Sequence, residues 1–336
     1  MNASDWLEVV RREYLEDFVP AGGAAVKFVV PAGEAERDDV RHGLQAAALR
    51  GGFQWAAVDA AATKIHLVEQ VFFAVAGQVD WDDLARSYLH RHLLESGYRV
   101  PDEASEAGRA DSPLSLDALE AANDSPGPVF VGELKRGLAN RLYRDAAMTR
   151  EFRLAMLHLC LAQLDPADDP ALAEAVGQWL RGELRLISGV KRALIFQRIA
   201  RHNARHLLTS LAYWLRRCGR SGLVLLLDVT RYGDATRPAD RGPGLYYGAQ
   251  ACLDLYEVLR QLIDATDDLE SCFAGVLAGP EFLTDERRGL RRYQALYLRI
   301  VDEVRDRHRP NPRSALVRLA PAPVSASAQP AAAPAR

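Results

Sequence analysis

The chain has 336 residues, and its 49% hydrophobic content is enough to bury a sizeable core in one large domain or two ordinary ones. Its 42 Lys and Arg against 45 Asp and Glu leave a formal net charge of -3, which predicts neither a strongly basic nucleic-acid binder nor an acidic solvating chain. No apolar run approaches the roughly 20 residues that span a bilayer, and the N-terminus lacks the basic and apolar regions of a signal peptide. We therefore expect a cytoplasmic protein without membrane contact.

The first elements predicted along the chain form a βαβ unit. The apolar, β-branched run Ala24–Val30 predicts a buried strand, helical spacing of apolar residues predicts a helix over Ala35–Leu49, and Phe53–Asp59 predicts a second strand. Such a unit has parallel strands and a right-handed crossover. The chain therefore begins as an α/β fold.

The next part of the chain, from about residue 60 to residue 218, has apolar residues three or four positions apart, which predicts a large helical insertion. Its last helix is predicted as one long helix over Lys191–Cys218. The stretch Pro101–Pro128 is rich in Ser, Asp, Pro and Ala and is predicted to be an exposed loop. The other helices are predicted over Leu67–Ala76, Trp81–Ser96, Gly132–Asp145, Thr149–Leu164 and Pro170–Leu184.

Strand character returns after the insertion. Gly222–Asp228 is a continuous apolar run that ends in one acid, which is typical of a central parallel strand buried on both faces. A helix over Leu245–Ala265 and strands over Cys272–Leu277 and Ala315–Leu319 follow. The Ala- and Pro-rich residues 320–336 are predicted to be disordered. The sequence thus predicts one α/β domain over residues 1–319, with a mostly parallel sheet of about five strands and a helical insert at about 60–218.

The turn after the first predicted strand lies where a P-loop protein carries G-x-x-x-x-G-K-[ST]. In that motif the glycines let backbone N–H groups wrap phosphates, the Lys reaches the terminal phosphates and the hydroxyl binds Mg²⁺. The stretch Pro31–Asp38 fits this context but not the residues: Pro31 and Glu36 stand at the glycine positions, Arg37 at the lysine and Asp38 at the hydroxyl.

Two further features of the predicted nucleotide site argue against hydrolysis. Glu34 and Glu36 would face an anion, and each repulsion at ~4 Å with an effective dielectric near 20 is worth about 4 kcal/mol, several times a typical net hydrogen bond. The run that ends at Asp228 has the form of a Walker B strand, but Val229 stands where active ATPases usually carry a Glu. These patterns predict a relic of nucleotide chemistry.

These segments also resemble a known family, over roughly Tyr14–Leu319. The matching stretches are Gly22–Val30, Trp179–Glu183, Asn203–Arg205, Gly222–Asp228, Gly279–Phe282 and Gly289–Tyr293. In this order they are similar to the ATP-binding proteins of the BREX phage-exclusion system, the P-loop family that contains the BrxC and BrxD components. The resemblance implies an AAA-like P-loop NTPase core that serves in antiviral defence, with other defence-system proteins as partners.

The chain departs from that family at the P-loop positions, at Val229, at Ala278, where a polar residue is expected near the γ-phosphate, and at its end, because relatives continue into a C-terminal helical lid. We therefore expect a degenerate member that binds ATP and Mg²⁺ weakly or not at all and acts as a scaffold or regulatory subunit rather than as an enzyme. The expected relic of the nucleotide site comprises Gly33, Arg37, Asp38 and Asp228, with Asp228 as a Mg²⁺ ligand only if a nucleotide binds. The alternative is an active ATPase of the same system, in which Arg37 or lysines such as Lys27 take unusual roles.

The sharpest charge asymmetry lies in Arg181–Arg220, which contains ten Lys or Arg and one acid, Glu183. It is predicted to be mainly one basic helix. Its arginines could form a solvated face that pairs with the acidic insert around Asp102, Glu103, Glu106, Asp111 and Asp117, or a surface for DNA, RNA or an acidic partner. The residues predicted for such a nucleic-acid or partner surface are Arg198, Arg201, Arg205, Arg216 and Arg217.

AAA-type relatives work as rings, so a homo-oligomer is a further expectation. In such rings an arginine finger acts across the subunit boundary. Arg205, Arg287 and Arg288 are the candidates in this sequence.

Overall fold

A five-stranded sheet organises the chain, as the computed structural model shows over residues 1–101, 114–125, 127–234, 244–301 and 311–321. All its pairings are parallel, and the strand order is β2-β3-β4-β1-β5. The predicted α/β fold with a parallel sheet of about five strands is confirmed. The strands are β1 (Ala24–Val30), β2 (Gln54–Asp59), β3 (Leu223–Asp228), β4 (Cys272–Leu277) and β5 (Leu316–Arg318).

Helices connect these strands and cover both faces of the sheet. A π-helix, Val10–Phe18, continues α1, and short 3₁₀ helices lie at Ile187–Ala193, Thr230–Gly233 and Leu290–Arg292. The α-helices among the described residues are α1 (Ala3–Val9), α2 (Glu34–Arg50), α3 (Val68–Ala76), α4 (Trp81–Glu95), α5 (Leu116–Ala122), α6 (Pro128–Arg144), α7 (Arg150–Leu164), α8 (Pro170–Arg181), α9 (Ala204–Arg217), α10 (Ala249–Asp264), α11 (Glu281–Thr284) and α12 (Gln294–Ile300). Helices α3 to α9 all lie between β2 and β3.

The buried core lies on both faces of the sheet because successive strand residues point to opposite faces. Leu223, Leu225 and Leu227 of β3 pack into the larger cluster, which includes the helices of the insertion. Val224 and Leu226 pack on the other face, against residues of α1 and α2. Strands β3 and β4 are buried along their whole lengths, which explains their continuous apolar sequences.

The predicted long helix over Lys191–Cys218 is wrong, because α9 begins only at Ala204. Upstream, the 3₁₀ helix ends at Ala193, and the next residue, Leu194, has a left-handed backbone with a φ of 58°. The Asn203 side chain then accepts a hydrogen bond from the Ala200 N–H and donates one to the Arg198 carbonyl, at 2.8 and 3.0 Å. The Asn203 side chain thus bonds backbone groups just before α9, and the segment between the 3₁₀ helix and α9 is irregular and ends in a turn at residues 201–203.

Other predictions fall partly outside the described residues. The predicted loop Pro101–Pro128 contains α5, and residues 102–113, with most of the predicted acidic insert, lie outside the described ranges. The predicted disordered tail lies outside them from residue 322 onward. Within the described ranges, no helix combines the length and the apolar character that crossing a membrane requires.

Candidate functional site

The carboxyl ends of the parallel strands bring together charged residues that are far apart in the sequence. In open α/β sheets this edge is the usual position of a ligand-binding crevice. Asp59 and Asp228 are the last residues of β2 and β3 and lie opposite each other in the strand register. Helix α2 begins at the same edge, after the turn that follows β1.

The central contact of this edge is an ion pair between Arg37 and Asp228. Arg37 donates from Nε to Asp228 Oδ2 at 2.8 Å, and its Nη2 lies 2.7 Å from the same oxygen. The other oxygen, Oδ1, accepts hydrogen bonds from the Thr230 N–H at 3.2 Å and from the Thr230 hydroxyl at 2.7 Å. Asp228 is fully buried. Both carboxylate oxygens of this buried acid are therefore occupied by protein donors.

A second acid and a second arginine extend the ion pair into a network, which we call the edge network (Arg37, Arg41, Asp59, Asp228 and Thr230). Asp59 Oδ2 lies 3.8 Å from Arg37 Nη2 and 3.5 Å from Arg41 Nη2. Its Oδ1 accepts a hydrogen bond from the Ala61 N–H at 2.7 Å. Asp59 and Arg41 were not among the site residues predicted from the sequence. The position of Asp59 at the end of the second predicted strand could have indicated it, as the position of Asp228 did.

Two of the protein's own carboxylates lie at the N-terminus of α2. The turn between β1 and α2 contains only residues 31–33, with Gly33 as the N-cap, so Glu34 and Glu36 lie in the first turn of the helix. Glu36 Oε2 lies 3.3 Å from the position that a Cβ on Gly33 would take. Negative charge in the first turn stabilises a helix, since the unpaired N–H groups there carry positive partial charge. Glu36 thus supplies the anion at this helix end.

The structure brings together only some of the residues predicted for the site. Arg37 and Asp228 are in direct contact, and Gly33 lies at the start of the same helix. Asp38 is exposed on α2, and within the described part of the chain no hydrogen bond or ion pair joins it to Asp228. Lys27, named in the ATPase alternative, instead donates to the Arg313 and Ser314 carbonyls from a buried position in β1.

Beside the edge network lies a packed group of aromatic residues. Tyr232 stacks on Tyr247 with ring centroids 3.9 Å apart, and its hydroxyl accepts a hydrogen bond from the His66 N–H at 2.9 Å. The same hydroxyl lies 2.8 Å from His66 Nδ1. Burial lowers the pKa of His66 and raises the pKa of Tyr247 to about 12. This wall of the site is therefore neutral and internally hydrogen-bonded at neutral pH.

The predicted basic surface is not one helical face. Arg198 and Arg201 precede α9, whereas Arg205, Arg216 and Arg217 lie on it, with about 16 Å along the helix between Arg205 and Arg216. Of the predicted trans-acting arginines, Arg288 is bonded within the chain, since its Nη1 donates to the Asp234 and Tyr247 carbonyls at 2.8 and 2.9 Å. Arg287 is exposed.

The fold and this edge define a parallel α/β protein whose charged residues at the carboxyl ends of β2 and β3 are paired within the chain. Comparison with known proteins gives the family: the model described as BREX system ATP-binding protein BrxC/D matches residues 114–326. This is more than half of the chain, so the chain belongs to that family, and the resemblance seen in the sequence is confirmed. No curated protein and no solved structure gives a match. The match includes Asp228 and Thr230, whereas Arg37 lies before it.

Proposed function

We propose that this protein is a non-hydrolysing subunit of a BREX antiphage system. It keeps the fold of an ATP-binding protein and acts as a scaffold or regulatory subunit beside an active component such as an ATPase, a methyltransferase or a nuclease. The observation that carries this proposal is the direct ion pair between Arg37 and Asp228. The cation at the P-loop lysine position and the acid at the Walker B position neutralise each other.

The strand order supports an AAA-like P-loop core as the origin of this fold. Strand β4 lies between β1, which precedes the P-loop position, and β3, which ends in Asp228. A strand inserted between the Walker A and Walker B strands is also the arrangement of the AAA-type proteins that the sequence resembles. Helices α3 to α9 then form an insertion between the second and third strands of that core.

The residues at the α2 N-terminus do not fit a nucleotide triphosphate. A phosphate-binding loop presents backbone N–H groups from several residues, but here the turn has only residues 31–33 and the aligned positions from Glu34 onward are helical. The Glu36 carboxylate lies beside Gly33, the N-cap of α2, and would repel a phosphate bound at this helix end. At ~4 Å and an effective dielectric near 20, the repulsion is worth about 4 kcal/mol per charge pair.

The residues also do not fit a Mg²⁺ ion as they stand. Asp228 would have to release Arg37 or Thr230 before it could bind a cation. Over the described ranges, no group of three or more His, Cys, Asp or Glu is arranged to hold a metal ion. We therefore propose no hydrolytic step for this edge, and the edge network holds β2, β3 and α2 together instead.

Family membership makes other proteins of the same BREX system the expected partners. A subunit without nucleotide turnover contributes to such a system through binding. Co-expression with the other proteins of the system should therefore give a complex that forms and persists without added nucleotide.

Calorimetric titration of the purified protein with ATP and Mg²⁺ tests the proposal, alongside thermal unfolding with and without nucleotide. We expect no binding heat and no stabilisation at millimolar ATP, since a bound ligand would stabilise the folded state. Glu36→Ala is the informative variant, and Glu151→Ala, which removes a carboxylate from the first turn of α7, is its matched control.

Micromolar ATP binding that is lost in Asp228→Asn would overturn the proposal and favour an active ATPase. Because Asp228 is buried, that variant could bind less simply through unfolding, so circular dichroism must first show that it is folded. Binding that strengthens in Glu36→Ala but not in Glu151→Ala would place the nucleotide at the α2 N-terminus independently of Asp228.

A further inference from the structure

The segment between α8 and α9, residues 182–203, differs in charge from the rest of the surface, and we call it the basic loop. It carries Arg185, Lys191, Arg192, Arg198 and Arg201, with Glu183 as its only acid. It comprises the 3₁₀ helix Ile187–Ala193 and an irregular stretch that leads to α9. It has no role in the edge network.

The basic loop is fixed by the core beneath it. Ile195 and Ile199 are buried, and the Trp179 indole N–H donates to the Gln197 carbonyl at 2.9 Å. The Asn203 side chain bonds the backbone at residues 198 and 200. The outward side chains are therefore presented on a defined backbone.

Three large apolar side chains of the basic loop face solvent. Leu186, Leu194 and Phe196 are 68%, 47% and 54% exposed. Leu194 also holds a left-handed backbone conformation, which costs a residue other than glycine about 1 kcal/mol and is found mainly where the surroundings impose it. Large apolar side chains exposed within eleven residues of one segment are candidates for contact with a ligand.

The cations of the basic loop are largely without acidic partners. Glu183 is paired with Arg181 at 2.9 Å, and Arg192 is paired with Asp169 at 2.8 Å. Arg185, Lys191, Arg198 and Arg201 form no ion pair within the part of the chain that the structure describes. Arg198 Nη2 donates to the Arg185 carbonyl at 2.7 Å, which holds the two arms of the loop together. The positive charge on this surface is therefore available to an external anion.

We propose that the basic loop binds single-stranded nucleic acid. Between the 3₁₀ helix and α9 the exposed residues Phe196 and Arg198 are two positions apart, which is at most about 7 Å of chain. A ring and a guanidinium side by side suit a ligand that alternates between base and phosphate, because bases stack on aromatic rings while cations bind phosphates. The helical part of the loop is the short 3₁₀ helix Ile187–Ala193, and the loop presents no α-helix or two-stranded ribbon of the kind that enters a duplex groove, so a single strand fits it better.

Fluorescence anisotropy with a labelled oligothymidylate of about 20 nucleotides at low salt tests the proposal. Phe196→Ala should weaken binding roughly fivefold or more, the loss expected for one stacked base. Arg198→Gln and Arg201→Gln should each reduce the slope of log affinity against log salt by about 0.7.

Two variants serve as matched controls. Tyr143→Ala removes an aromatic side chain of similar exposure from α6, and Arg216→Gln removes an exposed arginine from the far end of α9. Each should change the affinity less than the basic-loop variants do. Thermal unfolding of the Phe196, Arg201, Tyr143 and Arg216 variants should match the parent, since the substituted side chains are exposed, whereas Arg198→Gln also loses the hydrogen bond to the Arg185 carbonyl and its stability is therefore measured separately.

Several results would overturn the proposal. The first is no binding of oligothymidylate at low salt, and the second is binding that Phe196→Ala leaves unchanged, which indicates unspecific charge attraction. Duplex DNA that binds as tightly would exclude the single-strand preference. Binding of poly-glutamate with the same dependence on Arg198 and none on Phe196 would assign the loop to an acidic protein partner. Each outcome is independent of whether ATP binds at the sheet edge.

Discussion

The edge network and the basic loop use the same residue type in opposite ways. Arg37 lies at the sheet edge within 2.7 Å of a fully buried carboxylate and is bonded inside the chain. Arg198 and Arg201 lie on an exposed segment whose only acid is already paired. An arginine therefore indicates a ligand-binding surface only when the acidic residues of its own chain do not already pair with it.

This contrast is the opposite of what the sequence patterns indicate. At the position that resembles a nucleotide site, Arg37 and Asp228 are bonded to each other. The basic loop, part of which was predicted as a regular helix, instead exposes apolar side chains and cations without acidic partners among the described residues. Function by binding, rather than by hydrolysis, agrees with both observations. Five measurements test whether the edge network is internally paired and the basic loop is exposed.

The largest effect is expected from Arg37→Met. It leaves the buried Asp228 carboxylate without its cation, and removing one partner of a buried pair costs about 3–5 kcal/mol. The unfolding free energy from urea titration should fall by about that amount. The double variant Arg37→Met with Asp228→Leu should recover most of the loss. A loss no larger than that of Arg198→Met would contradict the internal role of Arg37.

Tyr232→Phe should destabilise the protein by about 1–2 kcal/mol. It removes the hydroxyl that accepts the His66 N–H and lies beside the His66 ring, so a partly buried donor loses its partner. Urea titration measures the change. Tyr246→Phe, at an exposed tyrosine nearby, is the control and should have a smaller effect.

Stability should fall as the pH is lowered from about 7 to about 5.5. Burial lowers the pKa of His66, His92 and His158 in the folded state, so below the ordinary pKa of about 6.5 the unfolded chain binds protons that the folded chain does not. Unfolding free energies across this range should therefore rise with pH. His92→Leu should flatten the profile, while His202→Gln, at an exposed position, should leave it unchanged.

Glu36→Gln should lower stability by about 0.3–1 kcal/mol, because it removes negative charge from the first turn of α2. High salt should reduce the difference from the parent protein. Asp39→Asn, at an exposed position further along α2, should have a smaller effect. A Glu36→Gln variant that is more stable than the parent protein would show that the Glu36 carboxylate destabilises the folded state.

The smallest effect is expected from Phe196→Ala, which should change the unfolding free energy by no more than about 0.5 kcal/mol. Its ring is 54% exposed, so little apolar surface is lost from the core. A fall of several kcal/mol in the unfolding free energy would mean that the Phe196 ring packs inside the protein, as the side chains of the edge network do.

The strands of this protein could be predicted from its sequence alone. The predicted bounds of β1 and β4 are those observed, because continuous apolar runs between turn residues are a local property of the chain. The position of α2 was predictable for the same reason, through its apolar spacing and the glycines that follow it. The family resemblance also rested on short local stretches.

Only the tertiary structure decided what the charged residues do. Arg37 and Asp228 are 191 positions apart, and parallel strand pairing brings them into contact. The start of α9 depends on both kinds of contact, since Asn203 bonds backbone groups three and five residues away while the Trp179 indole bonds the Gln197 carbonyl 18 residues away. Helical periodicity is read along the chain, but ion pairs and side-chain hydrogen bonds depend on which distant residues the sheet and core bring together. The closed sheet edge and the exposed basic loop therefore follow from packing rather than from any local pattern.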